Sequence, residues 1–316
     1  MEYVITGHVT GANKGIGYGI VKGLAEQIHN GIIYLTGNFL RISQRANIYK
    51  NCKSDLLPSL IVARNVSLGE AALKKVLEEL GQKRQSEVKF HQLDITDKSS
   101  IQKLADYLNK EHDGLDVLVN NAGFAFKHAA TEPAEEQARV TIGVNYEGTK
   151  QVCDILFPLI RTGGSNFVIV DRVVNVASQM GLLLHGRYSE EIITKMSNPS
   201  ITVAEIEQFC KDYIKACVDN KRKERGYPES AYCVSKTAVS VLTFIQAREL
   251  KSRNIVVNAC CPGYVNTDMT SHKGSLTIEE GADTPIYLAT LEKDEPCGQF
   301  VYLRRPIDFV AKKSIF

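Results

Sequence analysis

The strongest constraint on how this chain folds is an alternation that runs almost its whole length. Seven stretches read as short strands: YVITGHV, GIIYLT, EVKFHQLD, LDVLVNNAG, FVIVDRVVNVAS, IVVNACCPG and GQFVYL. Between them lie segments of helical periodicity, among them GYGIVKGLAEQI, SIQKLADYLNKEH, SAYCVSKTAVSVLTFIQARELKS and EEGADTPIYLATL. The segment SLGEAALKKVLEEL adds Ser67 and Glu70 at capping-box spacing. Strands separated by helices predict a parallel sheet covered on both faces, since each crossover must return over the sheet. The expectation is therefore an α/β fold, a doubly wound parallel seven-stranded sheet in a single domain over residues 1–316. No Pro/Gly/Ser-rich linker, repeat or low-complexity tract divides it. In such sheets ligands bind beyond the carboxyl ends of the strands, so chemistry is sought just after each one.

Composition narrows the partners. Of 316 residues, 44% are hydrophobic and 23% charged, with a formal net charge of +2. That balance allows a large core and gives no reason to expect nucleic acid or a membrane surface. No apolar run approaches the length of a membrane span and MEYVITGHVTG is unlike a secretory signal, so a cytoplasmic location is expected. The eight cysteines are scattered without a Cys-x-x-Cys pair, which predicts reduced core thiols, no disulfides and no metal site.

The first crossover reads VTGANKGIGYGI, with Gly11, Gly15 and Gly17 between a strand and a helix. Glycines there let the backbone approach a pyrophosphate, whose charge the helix N-terminus stabilises. The spacing is Gly-x-x-x-Gly-x-Gly, and NNAG follows the fourth strand at Asn120 to Gly123. In these features the chain resembles the short-chain dehydrogenase/reductase family, a Rossmann-type fold.

That family's catalytic signature is Tyr-x-x-x-Lys, which occurs here four times: Tyr18/Lys22, Tyr49/Lys53, Tyr146/Lys150 and Tyr232/Lys236. Only the last follows the fifth strand and its Ser178, and only it opens a helix leading to the sixth strand. Position thus selects Tyr232 as general acid. Lys236, one turn along the same helix face, is expected to lower the phenol pKa from its reference value near 10 and to bond the nicotinamide ribose. Ser178 is expected to donate to the substrate carbonyl oxygen, where negative charge grows. Asn145 matches the family asparagine that helps hold a proton-relay water; alternatively it is a polar residue within a helix.

The resemblance also implies a cofactor site. Gly11, Asn13, Lys14, Gly15, Ile16 and Gly17 would cradle the phosphates, with Asp94 and Ile95 beside the adenine. An aspartate at a strand end also reads as a turn residue. Asn121, Ala122 and Gly123 would line the site, and Pro262, Gly263, Val265 and Thr267 in CCPGYVNTDM would contact the nicotinamide carboxamide. Lys14 and Arg64 look like the basic pair that selects the 2′-phosphate of NADPH, and no acidic residue ends the second strand to select NAD.

Ser178 and Tyr232 are 54 positions apart, and the polar helical segment AEIEQFCKDYIKACVDNKRKER lies between them. With AYCVSK, NACCPGYVNTDMT and EEGADTPIYLA, this organisation is similar to the monomeric NADPH-dependent carbonyl reductases. In those, added helices, here at about 189–226, cover the surface that tetrameric relatives use for assembly. The implied activity is reduction of an aldehyde, ketone or quinone by a likewise monomeric enzyme. The loops GLLLHGRYS and 264–275 are apolar or small enough for a hydrophobic carbonyl compound.

Several features depart from the pattern. Leu68 stands where many such reductases carry a second arginine for the 2′-phosphate, and Thr6, Gly7 and His8 interrupt the first strand. SNFVIVD before RVVNVAS is a seven-residue excess without an account. The largest departure is spacing. The residue that reads the ribose is expected roughly 20 positions past the last glycine, yet Arg64 lies 47 past Gly17. Removing 37–62, 26 residues, leaves 21 and restores GIIYLT-ARNVSLGE. Gly37-Asn38 can encode a splice donor and Val62-Ala63 an acceptor, so 37–62 reads as translated intron or as a natural loop. A gene lacking splice-site bases there would leave only the loop. A second functional expectation follows: a catalytically silent variant whose cofactor site the insertion disturbs.

Overall fold

The computed structural model describes residues 5–37, 39–40, 62–63, 66–127, 129–161, 171–292 and 295–312. One sheet organises them. Its strands are β1 (Ile5–Val9), β2 (Gly31–Gly37), β3 (Glu87–Gln92), β4 (Val117–Asn120), β5 (Arg172–Val176), β6 (Val256–Cys261), β7 (Phe300–Tyr302) and β8 (Arg305–Ile307). Their order is β8-β7-β6-β5-β4-β1-β2-β3. The first seven strands run parallel, in the register Ile5↔Gly31 between β1 and β2 and Val117↔Arg172 between β4 and β5. The strand order reverses between β1 and β4, which opens a crevice at their carboxyl ends.

An eighth strand exceeds the expected seven. It is antiparallel to β7, and the two-residue turn between them has Leu303 at φ 48° and Arg304 at φ 61°. Both central residues of such a turn need positive φ, which usually calls for Asn-Gly. Leu-Arg carries no such signal, so GQFVYL showed one strand and not a hairpin.

Helices cover both faces. On one lie α1 (Gly15–Gln27), α2 (Val66–Leu80) and, near the chain end, Ile278–Ala289, which enclose Leu24, Val76, Val119 and Ala282. On the other lie α3 (Lys98–His112), α4 (Ala134–Ile142), α5 (Thr149–Leu156) and, further along, Ala231–Leu250. Helix α2 begins at Val66, so Ser67 sits in its first turn and is not the cap; the apolar periodicity located the helix to within a residue but not its end. The intervening segment forms α6 (Glu190–Met196) and α7 (Val203–Val218). Thr202 and Glu205 make a reciprocal capping box on α7, which buries Ile206, Phe209 and Tyr213. The helix stops at Val218, short of the KRKER run. Two helices complete the set: α8 (Ala231–Leu250) and α9 (Ile278–Ala289).

Two of the departures are visible. Residues 39–40 and 62–63 pair antiparallel, Phe39↔Ala63 and Leu40↔Val62, so the segment 37–62 leaves and rejoins the fold at neighbouring points. Its interior lies outside the described residues, as does most of SNFVIVD. In β1, Thr6 and His8 are wholly buried. Gly7 leaves room that the Ile33 side chain takes, since a Cβ there would fall 2.9 Å from Ile33 Cδ1. Both His8 ring nitrogens lack a hydrogen-bond partner among the described residues, and burial, with His91 nearby, pushes the imidazole pKa down to about 3.

Candidate active site

The glycine loop closes against the end of β4. Gly11 has φ 63°, and a Cβ there would fall 2.7 Å from Ala122 Cα. A Cβ on Gly17 would fall 2.4 Å from Asn121 Nδ2. The loop is clamped by that amide, which donates to Thr10 O at 3.0 Å and Gly11 O at 3.2 Å. In return the Thr10 hydroxyl accepts from Asn121 N and Ala122 N at 3.0 and 2.9 Å. Lys14 precedes α1 in extended conformation and gives it no side-chain cap, and the first turn holds no acidic residue. The first N–H groups of α1 therefore remain available to an anion.

From that helix end a cleft of about 690 Å³ runs to the start of α8. Gly11, Asn13, Lys14, Gly15 and Ile16 of the glycine loop line it, as do Asp94, Ile95, Asn121, Ala122 and Gly123. Tyr232, Lys236, Pro262 and Thr267 also line it, and a Cβ on Gly15 would fall 3.5 Å from Thr267 Cγ2. Gly17, Asn145, Ser178, Gly263 and Val265 are not among the residues that line it, and Arg64 lies outside the described residues. Asp94 lines the cleft, and its Oδ1 accepts from Thr96 N at 2.9 Å and Thr96 Oγ1 at 2.7 Å in a turn.

The proposed catalytic set converges. Ser178 neighbours the Tyr232 side chain, and its Oγ accepts from Met180 N at 3.2 Å. Lys236 is buried, with Nζ donating to Val176 O at 2.7 Å and standing 5.8 Å from the Tyr232 ring centroid. Burial lowers the ammonium pKa to about 8. Here the electrostatics differ from expectation. Burial raises the Tyr232 pKa above its ordinary value, with the neighbouring Ser178 as the opposing influence. Lys236 is directed at a strand carbonyl, so its charge does not overcome desolvation of the phenolate.

Asn145 lies in a π-helical turn, Gly143–Gly148, between α4 and α5. Such one-turn distortions concentrate at functional sites. Its amide pairs with one backbone residue in both senses: Oδ1 accepts from Phe124 N at 2.7 Å and Nδ2 donates to Phe124 O at 2.9 Å. Nδ2 also donates to Ser235 Oγ at 2.9 Å, and Ser235 Oγ donates to Tyr232 O at 2.9 Å. Asn145 thus joins the cleft wall after β4 to the helix carrying Tyr232 and Lys236. Lys127, Asp268 and His272 also line the cleft. Asp268 and His272 belong to the loop 264–275 that the sequence placed at the pocket, but the contacts of all three are made only on folding.

The model of the family described as short chain dehydrogenase matches residues 59–189 and 221–276. The gap between the two matched parts falls on α7. Carbonyl reductase [NADPH] 1 of Homo sapiens is 40% identical over 303 residues, covering 94% of this chain and 95% of that protein. Carbonyl reductase [NADPH] 3 of Rattus norvegicus is 38% identical over 299 residues, covering 93% and 94%. Among solved structures, salutaridine reductase from Papaver somniferum superposes with a TM-score of 0.73 at 26% identity, over 94% of this chain and 99% of that one. On these matches the chain belongs to the short-chain dehydrogenase family.

Proposed function

We propose that this protein is an NADPH-dependent carbonyl reductase that converts aldehydes, ketones or quinones to alcohols. The observation that carries the reading is a single cleft lined both by the loop that leads into an uncapped helix N-terminus and by Tyr232 with Lys236. NADPH fits this cleft: Gly11 lets the backbone approach where a side chain would collide, and α1 offers its N–H groups to the pyrophosphate. Bound there, NADPH supplies a hydride to the carbonyl carbon. Ser178 donates to the carbonyl oxygen, Tyr232 delivers the proton to it, and Lys236 holds the ribose and supplies positive charge. The raised Tyr232 pKa keeps the phenol protonated and ready to donate at neutral pH. Relatives named for NADPH and carbonyl reduction support this reading.

The proposal extends to a monomer in the cytosol. Helices α6 and α7 add a layer over α4 and α8 that includes Phe209 and Tyr213, and among the described residues no helix is long and apolar enough to cross a membrane. Light scattering of the purified protein at a dimer mass or above overturns the monomer assignment.

The decisive assay follows NADPH oxidation with a quinone or an activated aldehyde, using protein with and without residues 37–62. A second reading, a silent variant, draws on one observation: a Cβ at Gly37, where β2 ends, would fall 2.5 Å from Asn13 Oδ1. The insertion therefore starts against the cofactor loop. Turnover in both forms supports the reductase, turnover only after deletion supports the silent variant, and folded but inactive protein in both cases overturns the reductase assignment.

Two further outcomes are expected. Gly11→Val should abolish measurable NADPH binding in a fluorescence titration while the sheet stays folded, because the side chain needs the space held by Ala122 and φ 63° is unfavourable for a β-branched residue. Wild-type affinity in that variant would remove the loop from the site. For pH, Lys236 is an ammonium below about 8 and neutral above. The kcat/KM for carbonyl reduction should therefore fall as pH rises through that value, and Lys236→Arg should move the falling limb to higher pH. A limb that stays in place in the variant assigns it to another group.

A further inference from the structure

The mouth of the cleft carries a charge arrangement that the reductase chemistry leaves unused. Lys14 Nζ donates to Asp268 Oδ2 at 2.5 Å, joining the phosphate-binding loop to the segment after β6. The other carboxylate oxygen is 3.0 Å from His272 Nε2, and His272 Nδ1 is 3.0 Å from Asn266 Oδ1. The backbone at Asp268 is held independently, because Lys127 Nζ donates to its carbonyl and to Ser271 Oγ at 3.2 Å. Asp268 therefore stays in place whether or not Lys14 is bound to it. Both Lys14 and Asp268 face the cleft.

We infer that Asp268 is a specificity-determining residue: its carboxylate occupies Lys14 and restrains the preference of this cleft for the phosphorylated dinucleotide. The inference rests on reading the cleft as an NADPH site. NADPH differs from NADH by one phosphate group carrying roughly −1.5 to −2 charges at pH 7. A fixed negative charge beside the lysine that serves this group opposes the more anionic cofactor more strongly. Asp268 is ionised at working pH, since Lys14 and then His272 hold its carboxyl below the usual range. With both partners about half exposed, the effect is moderate and screened by salt.

The test is a titration of Asp268→Asn against NADPH and NADH, read by nucleotide fluorescence. The Kd for NADPH should fall about threefold to fivefold at low salt, and that for NADH by about twofold or less. The gap should close at high salt, and in a Lys14→Ala background Asp268→Asn should favour NADPH over NADH by less than it does with Lys14 present. Asp268→Ser gives the same reading should the Asn variant misfold. An unchanged NADPH-to-NADH ratio, equal gains for both, or weaker NADPH binding overturns the assignment. Wild type that binds NADPH while the variant ratio is unchanged sinks only the role of Asp268. Absence of NADPH binding in every form sinks the underlying reading and this inference together.

Discussion

Replacing Tyr232 by Phe is expected to lower kcat by about 10²- to 10⁴-fold, the usual scale for losing a positioned proton donor. The NADPH Kd should change by about twofold or less, because the variant keeps the ring against Lys236 and loses one hydroxyl. The lost hydroxyl neighbours Ser178, whose Oγ keeps its bond from Met180 N. The remaining machinery is untouched: Lys236 keeps its bond to Val176 O, and Asn145 keeps both bonds to Phe124. Steady-state rates with one quinone and one aldehyde, alongside a nucleotide titration, check the result. A variant within about tenfold of wild type would mean that another donor, reaching the carbonyl through water, serves the reaction.

His8→Val should stabilise the protein, which is unusual for a core substitution. The imidazole sits on β1 between Tyr34 of β2 and Leu118 of β4, wholly buried, with neither ring nitrogen bonded among the described residues. A buried polar group without a partner costs about 1–3 kcal/mol. Valine is smaller and prefers strands, so a net gain of about 1–2 kcal/mol at pH 7 is expected. The gain should grow in acid. The unfolded chain takes up a proton at this histidine near the reference value of 6.5, whereas the folded protein resists until about 3. Stability contributed by keeping His8 neutral is complete above the unfolded value and is lost as pH falls from 6.5 towards 3, by up to about 1.4 kcal/mol per pH unit. Urea unfolding at pH 7 and pH 5 measures both effects. A variant less stable than wild type would show that the ring is solvated by internal water, and an equal gain at both pH values would show that it is already protonated at pH 5.

Legibility differed from residue to residue. Gly11 and Gly17 were readable because their places admit no side chain, and a short motif records that requirement. Tyr232 was separable from Tyr18 and Tyr146 only because strand order puts one of the three after Ser178. In the structure Tyr18 packs beside Glu79, and Tyr146 is buried without a partner for its hydroxyl among the described residues. The direction of the Tyr232 pKa was misread. Sequence showed a lysine one turn away, but burial and the Val176 carbonyl decide how far its charge reaches. The β7–β8 hairpin was missed because its turn residues, Leu303 and Arg304, lack the usual chemistry of positive φ.

By itself the sequence determined the layered α/β architecture, the place of the glycine loop and the choice of Tyr232 and Lys236 as the catalytic candidates. These depend on periodicity, steric exclusion at glycine and the order of motifs along the chain, all of which are local or one-dimensional. Tertiary structure alone decided the partners of Asn145, the direction of each pKa and the meeting of Lys14 with Asp268, 254 positions away. Desolvation and ion pairing depend on which groups share a volume of space, and that distance is set by the folded sheet and its crossovers.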